Sequence, residues 1–333
     1  MTKPRYLEID FLRGLSMLVM ILIHTNAYHL SNKIAYLLWD YSQFAVPVFI
    51  FCSTYIFFQR PFAFDFKNLW NYLKKRLNRL LIPYYLFSVI FIFLVFLGEP
   101  QRITQKFLLG NFIFLDGMAI NWLIVLFLFF TLIMPLLYYL EEKLKIVFYV
   151  FLFLSLSSSL FFMSGSLPFP YQLTMWLPWS LIIVFGIYFV RYKNTKWFLP
   201  ATIIIALLVF LLTRQFQIMT NHSLVMYNNK YPPNLYHLSY GVFSIPLFYL
   251  IFKTHFLNFF PVRNLFIFLS KNSYTIYFIH YLVIYALTVL IKTLKFDWIS
   301  FFIVVLVSTL IVQWSFNKTK NHFFSTLNKG PTI

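Results

Sequence analysis

The chain has 333 residues, of which 61% are hydrophobic, 23% aromatic and only 11% charged, whereas a soluble domain is roughly half apolar and about one quarter charged. This composition excludes a soluble globular protein and a disordered one, and a single cysteine with 8 glycines excludes a disulfide-rich or collagen-like chain. The net charge of +18 does not indicate nucleic acid binding, because the basic residues lie mainly in alternate short connections between apolar runs.

Ten apolar segments follow one another along the chain, and each is near the ~20 residues that a helix needs to cross the hydrocarbon layer. They lie at about 14–31, 36–58, 80–98, 119–140, 146–163, 172–190, 197–213, 236–252, 266–291 and 298–316. The pattern predicts an all-α integral membrane protein with about ten transmembrane helices. No connection is long enough to hold a soluble domain, so we expect residues 1–333 to form a single membrane-embedded domain.

The connections between these segments divide into two sets that differ strongly in charge. With ten spans both termini lie on the same side, and the loops of that side carry 20 of the 27 Lys and Arg residues. Because positive charge is enriched in cytoplasmic loops, both termini are predicted to be cytoplasmic.

The first apolar segment contains His24, the clearest candidate for chemistry. An imidazole in lipid is costly unless it faces protein or water, so a mid-membrane histidine is a functional candidate. Arg13 lies eleven residues earlier, which on a helix is about 20° beyond three full turns and a rise of about 16 Å, so the two share one face. Asp10, three residues before Arg13, is placed to hold its guanidinium. A structural histidine and an arginine that only sets topology are the alternatives.

Five segments, in chain order, resemble a known family. They are 9–14 (IDFLRG, opening the Arg13–His24 pair), 44–55 (FAVPVFIFCSTY), 76–83 (RLNRLLIP), 122–123 (WL) and 273–280 (SYTIYFIH). The ordered set resembles the acyltransferase-3 family of bacterial membrane proteins, whose signature pairs an arginine and a histidine separated by ten residues. Thr54 and Asn121 depart from it, since the family commonly has glycine and histidine there. A similar opening also occurs in the heparan-glucosaminide acetyltransferase group, which likewise transfers acetyl to a sugar across a membrane.

The resemblance implies an O-acyltransferase that moves an acyl group, most often acetyl, from cytosolic acetyl-CoA or another acyl-CoA to a hydroxyl of an extracytoplasmic or lipid-linked envelope saccharide. It implies no tightly bound cofactor, and the spacing of the histidines predicts no metal site. The expected partners are acyl-CoA, the saccharide acceptor and membrane lipids, without nucleic acid, and the expected location is the bacterial cytoplasmic membrane.

The same resemblance assigns roles to four residues. Arg13, Arg76 and Arg79 are expected to bind the donor, because fork-shaped guanidinium groups match the phosphate oxygens of acyl-CoA. His24 is expected to act as general base for the attacking hydroxyl or as a nucleophile that relays the acyl group. For the basic run at 74–79, topology and attraction to anionic headgroups are the alternative explanation.

Other residues are candidates for a supporting role. Trp122 stands where the family usually has a Trp-Phe pair, and His280 lies well inside the ninth apolar segment, as a second catalytic residue or a structural histidine. The outer segment 227–236 is rich in aromatic residues and suits stacking on a glycan, although aromatic belts also occur at membrane interfaces. Asp40 and Asp116 are candidates for binding sugar hydroxyls, with solvated loop ends as the alternative.

A transporter or flippase for an envelope polysaccharide or its precursor explains the ten helices and a polar path equally well. The two hypotheses differ over the Arg13–His24 pair, which acyl transfer uses directly and a passive conduit does not require. A non-enzymatic membrane sensor is a weaker alternative, since it leaves both the basic run and His24 without a task.

Overall fold

The computed structural model describes residues 6–114, 117–253, 260–291 and 296–327, and within these ranges it is helical without a β-strand. The α-helices there are α1 Leu7–Asn26, α2 Lys33–Tyr41, α3 Ala45–Phe58, α4 Phe66–Gly98, α5 Gln105–Ile113, α6 Asn121–Lys143, α7 Lys145–Phe161, α8 Tyr171–Thr174, α9 Trp176–Tyr192, α10 Phe198–Met219, α11 Leu235–Lys253, α12 Phe260–Lys271, α13 Ser273–Tyr285 and α14 Trp298–Leu327. Each predicted apolar segment falls on this series, which confirms an all-α fold.

Eight helical stretches in the described part of the chain are long and apolar enough to cross a membrane. They are Lys33–Phe58, Phe66–Gly98, Asn121–Lys143, Tyr171–Tyr192, Phe198–Met219, Leu235–Lys253, Ser273–Leu290 and Trp298–Lys320. The protein is therefore a multi-pass membrane protein. The 20-residue α1 and the 17-residue α7 are not among the eight, so the count of ten and the cytoplasmic termini stay predictions.

Two predicted segment boundaries were wrong. The ninth segment, expected to be continuous over 266–291, is broken at Asn272, whose side-chain amide donates to the Phe268 carbonyl at 2.8 Å while its oxygen accepts from Asn317 at 3.1 Å. The third segment begins at Phe66 rather than at residue 80, because Asp65 caps the helix by accepting from the Asn68 N–H at 2.9 Å. The basic run is therefore helical.

The first helix lies in the middle of the bundle, packed against α2, α3, α11, α12, α13 and α14. Gly14 allows a close approach of α1 to α12, because a Cβ atom there would lie 2.5 Å from the Phe266 carbonyl oxygen. Ser16 fixes the other side by donating to the Ala45 carbonyl of α3 at 3.1 Å. These contacts hold the helix that carries Arg13 and His24.

A glycine on α9 accommodates one departure from the family pattern. Thr54 of α3 packs against Gly186, where a Cβ atom would lie 2.6 Å from the Thr54 methyl carbon. The side chain of Thr54, larger than the glycine that the family commonly has, thus fits because Gly186 on the facing helix has no side chain.

Candidate functional site

The structure brings together the three arginines that the sequence predicted as donor ligands. Arg13 of α1 and Arg76 and Arg79 of α4 line one cavity of about 100 Å³, together with residues of α3, α6 and α13. We call it the arginine cavity. Arg13 is fixed by a hydrogen bond from Nη2 to the Cys52 carbonyl oxygen at 3.3 Å. Three guanidinium groups around one small space form a strong anion site.

A second cavity, of about 280 Å³, shares Ser53, Ile56 and Arg76 with the arginine cavity. Arg76 therefore lies between the two spaces. Its Nε atom is buried and has no hydrogen-bond partner among the described residues, and the same is true of the Tyr72 hydroxyl in the second cavity. A buried hydrogen-bond donor without an acceptor costs free energy, so a ligand that offers acceptors to these two groups would gain by binding here.

Asp10 lies beside this region and connects α1 to α12. Its Oδ1 accepts a hydrogen bond of 2.6 Å from the Ser270 hydroxyl. The contact that fixes the Arg13 guanidinium is the Cys52 carbonyl, which the sequence did not suggest. Asp10 thus contributes to the placement of α1 through its contact with α12.

His24 contacts the second histidine that the sequence singled out, His280 of α13. The His24 Nδ1 and His280 Nε2 atoms are 3.0 Å apart, and His280 Nδ1 lies 2.9 Å from the Ile276 carbonyl oxygen. A carbonyl only accepts, so His280 Nδ1 carries a proton, and in a neutral ring its Nε2 then accepts from His24 Nδ1–H. The remaining ring nitrogen of His24, Nε2, keeps a free lone pair. The pair therefore fixes one tautomer of His24.

His24 lines a third space, which we call the histidine cavity. Its volume is about 290 Å³ and its walls come from α1, α2, the start of α6, α13 and the segment between α10 and α11. Trp122 and Tyr231 form one wall, with ring centroids 4.9 Å apart. The structure thus places Trp122 and His280 beside His24, as candidates for support.

The histidine cavity contains a buried cation that the sequence reasoning missed. Lys230 is only 3% exposed, and its Nζ donates to the Gln43 side-chain oxygen at 3.1 Å. The ammonium also lies 5.0 Å from the Trp122 ring centroid and 5.2 Å from that of Tyr231. Burial lowers the pKa of Lys230 to about 7. The signal in the sequence was a lysine inside an aromatic segment, which we counted only as a topological charge.

Polar contacts hold the segment that carries Lys230 in place. Asp40 of α2 accepts a hydrogen bond of 2.6 Å from the Met226 N–H. Asn229 donates to the Val225 carbonyl and accepts from Gln217 of α10, both at 2.8 Å. Asp40 is thus a buried anchor for this segment and not a solvated loop end, and its role as a sugar ligand stays a prediction. Asp116, the other predicted sugar ligand, lies outside the described residues.

Arg13 and His24 lie on one stripe of α1 that faces α13. Arg13 shares its cavity with Ser273 and Tyr274, and His24 contacts His280. Met17 and Met20 lie on the same stripe, four and seven positions after Arg13. At 100° per residue, these two methionines, Arg13 and His24 all lie within about 60° around the helix axis. Both methionines are buried, and the two cavities have no lining residue in common. An apolar stretch of side chains therefore separates them.

Comparison with known proteins identifies the family. A family model described as an acyltransferase domain, Acyl_transf_3, matches residues 6–318, nearly the whole chain. No curated protein and no solved structure matches the chain. The matched range includes the arginine cavity, the histidine pair and the segment that holds Lys230. The chain belongs to the acyltransferase-3 family and is a multi-pass membrane acyltransferase.

Proposed function

We propose that the protein transfers an acyl group, acetyl in the simplest case, from cytosolic acyl-CoA to a hydroxyl of an extracytoplasmic or lipid-linked saccharide in the bacterial cytoplasmic membrane. One observation carries the proposal: a single central helix holds Arg13 in a cavity with two more arginines and His24 in a cavity with aromatic walls. An anionic donor and a sugar acceptor need these two different environments.

Two observations support acyl-CoA as the acyl donor: the positive charge of the arginine cavity, and buried N–H and O–H groups that have no hydrogen-bond partner among the described residues. Arg13, Arg76 and Arg79 match the phosphates of acyl-CoA, whose binding would give the buried Nε atom of Arg76 an acceptor. The neighbouring cavity that shares Arg76 gives additional room for a long ligand. The pantetheine arm is the part of the donor that would reach along the α1 stripe toward His24.

The chemistry of the transfer rests on the tautomer of His24. His24 Nε2 accepts the proton of the sugar hydroxyl while the hydroxyl oxygen attacks the thioester carbonyl carbon. The carbon–sulfur bond breaks, and the coenzyme A thiolate takes the proton from the imidazolium. His280 supports this role by accepting from His24 Nδ1, which holds the ring and stabilises the cation that forms. A relay through an acyl-imidazole on the same Nε2 is the variant of this mechanism.

Mass spectrometry of envelope glycans tests the proposal. Cells would carry no copy, the intact protein, His24→Ala or His222→Ala, with membrane levels matched. His222 is an exposed histidine outside both cavities and serves as the control. We expect an ester-linked acyl increment with the intact protein and with His222→Ala only. Glycan export that changes while acylation stays equal in all strains would refute the enzyme and favour the transporter or flippase.

A further inference from the structure

Lys230 is a buried cation without a counterion in the part of the chain that the structure describes. Its ammonium has three N–H donors, and Gln43 accepts one of them. No carboxylate of the described residues lies within ion-pair distance of it. The adjacent rings of Trp122 and Tyr231 contribute cation–π attraction, which is weaker than a full ion pair. The described residues therefore balance the ammonium form of Lys230 only in part.

Among the described residues, the other ionisable groups around Lys230 do not supply the missing negative charge. Asp40 accepts a hydrogen bond from the Met226 N–H and forms no ion pair with Lys230. The remaining titratable residues near it, on the cavity wall or on α11, are His24, His237, Tyr28, Tyr227, Tyr231 and Tyr281. At neutral pH none of these types is an anion by default. A buried charge is costly when uncompensated, so an anionic ligand would gain directly from binding here.

The walls of the same cavity suit a sugar. Trp39 and Tyr227 lie with ring centroids 4.9 Å apart beside the Trp122–Tyr231 pair, so that four aromatic rings line the space next to His24. Aromatic faces pack against the apolar faces of sugar rings. A cation, flat apolar walls and a base thus line one space of about 290 Å³.

We propose that the histidine cavity selects a saccharide acceptor that carries an anionic group, a carboxylate or a phosphate, and that Lys230 binds this group while His24 faces the hydroxyl to be acylated. The proposal rests on the proposed function and names the acceptor class. Lys230 determines acceptor specificity, whereas the three arginines hold the donor in the other cavity.

Binding of small probes to the purified full-length protein in detergent tests the proposal without acyl transfer. The probes are methyl β-glucuronide, glycerol 1-phosphate and methyl β-glucoside, at constant ionic strength, followed by tryptophan fluorescence. We expect at least one anionic probe to bind about tenfold more tightly than the neutral glucoside. Comparing the affinities of the two anionic probes shows whether the cavity prefers a carboxylate or a phosphate. Lys230→Met should remove that preference and Lys230→Arg should keep it.

Lys33→Met is the matched control, since Lys33 is an exposed lysine on α2 that does not line the cavity. It should leave the preference unchanged. Equal binding of all three probes to the intact protein, or a preference that survives Lys230→Met, would overturn the proposal. Charge-selective binding with no glycan acylation in the cells would instead refute the proposed function, and only the anion-binding role of Lys230 would stand.

Discussion

His280 offers the sharpest test of the catalytic geometry, because it touches His24 and lies outside the arginine cavity. We compare His280→Leu, which removes the acceptor for His24 Nδ1–H, with His280→Gln, whose side-chain oxygen lies the same number of bonds from Cα as Nε2. His280 is fully buried, so in the leucine variant the His24 donor is left without its partner at 3.0 Å.

The cost of an unsatisfied buried donor is about 1–3 kcal/mol, and each 1.4 kcal/mol is a factor of ten in rate. His280→Leu should therefore lower kcat by roughly 10- to 100-fold, and His280→Gln should recover most of that loss. The KM for acyl-CoA should stay within about twofold in both variants, because Arg13, Arg76 and Arg79 are untouched.

The assay is transfer of radiolabelled acetyl from acetyl-CoA to the glycan acceptor by purified protein, with thermal unfolding used to verify that both variants fold. Leucine and glutamine variants with equal kcat would show that the hydrogen bond to His280 does not position His24. A rise in the KM for acyl-CoA as large as the fall in kcat would show that His280 acts on the donor instead.

Three further predictions concern separate parts of the molecule. Arg76→Met should raise the KM for acyl-CoA about tenfold or more with little change in kcat, since a charge-assisted hydrogen bond contributes roughly 1.5–3 kcal/mol. Lys75→Met, on the exposed side of the same helix, should leave the KM unchanged. Equal effects of the two substitutions in steady-state kinetics would indicate that the donor is attracted by positive charge in general and not by Arg76. Gly14→Ala should lower the free energy of unfolding by about 1–3 kcal/mol through overlap with Phe266, and an unchanged denaturation midpoint would contradict the close approach of α1 and α12. Because the pKa of Lys230 is about 7 and the ammonium is the form that prefers an anion, methyl β-glucuronide should bind roughly tenfold more weakly at pH 9 than at pH 7. Lys230→Arg should abolish this dependence in the fluorescence titration.

The amino-acid sequence was sufficient for the helical architecture and for the central pair on α1. The length of an apolar segment and the charge of a loop depend only on residues that are neighbours in the chain, so both can be read from the sequence. The eleven-residue spacing from Arg13 to His24 can be read in the same way, because it lies within one helix. The cluster of Arg13 with Arg76 and Arg79 followed from motif resemblance, and the structure places all three on one cavity.

Contacts between distant parts of the chain were beyond that reasoning. His24 and His280 are 256 positions apart, and Lys230 reaches Gln43 across 187. A lysine in a loop is usually a solvated charge, and only the packing of α1, α2 and α6 around the segment after α10 shows that Lys230 is buried. The helical form of the basic run was missed because charge was taken as the sign of a loop, although Lys and Arg are good helix formers.

The two methionines on the stripe between Arg13 and His24 have a consequence for the ion gradients across the membrane. Under the proposed function, an acyl group passes from one membrane face to the other, and a path for it would risk leaking protons and sodium. Met17 and Met20 are buried, apolar and unbranched, and such side chains rearrange around a slender organic chain more easily than branched ones. Hydrated ions gain no polar contacts from thioethers, so these two side chains would oppose ion leakage and help to preserve the membrane potential.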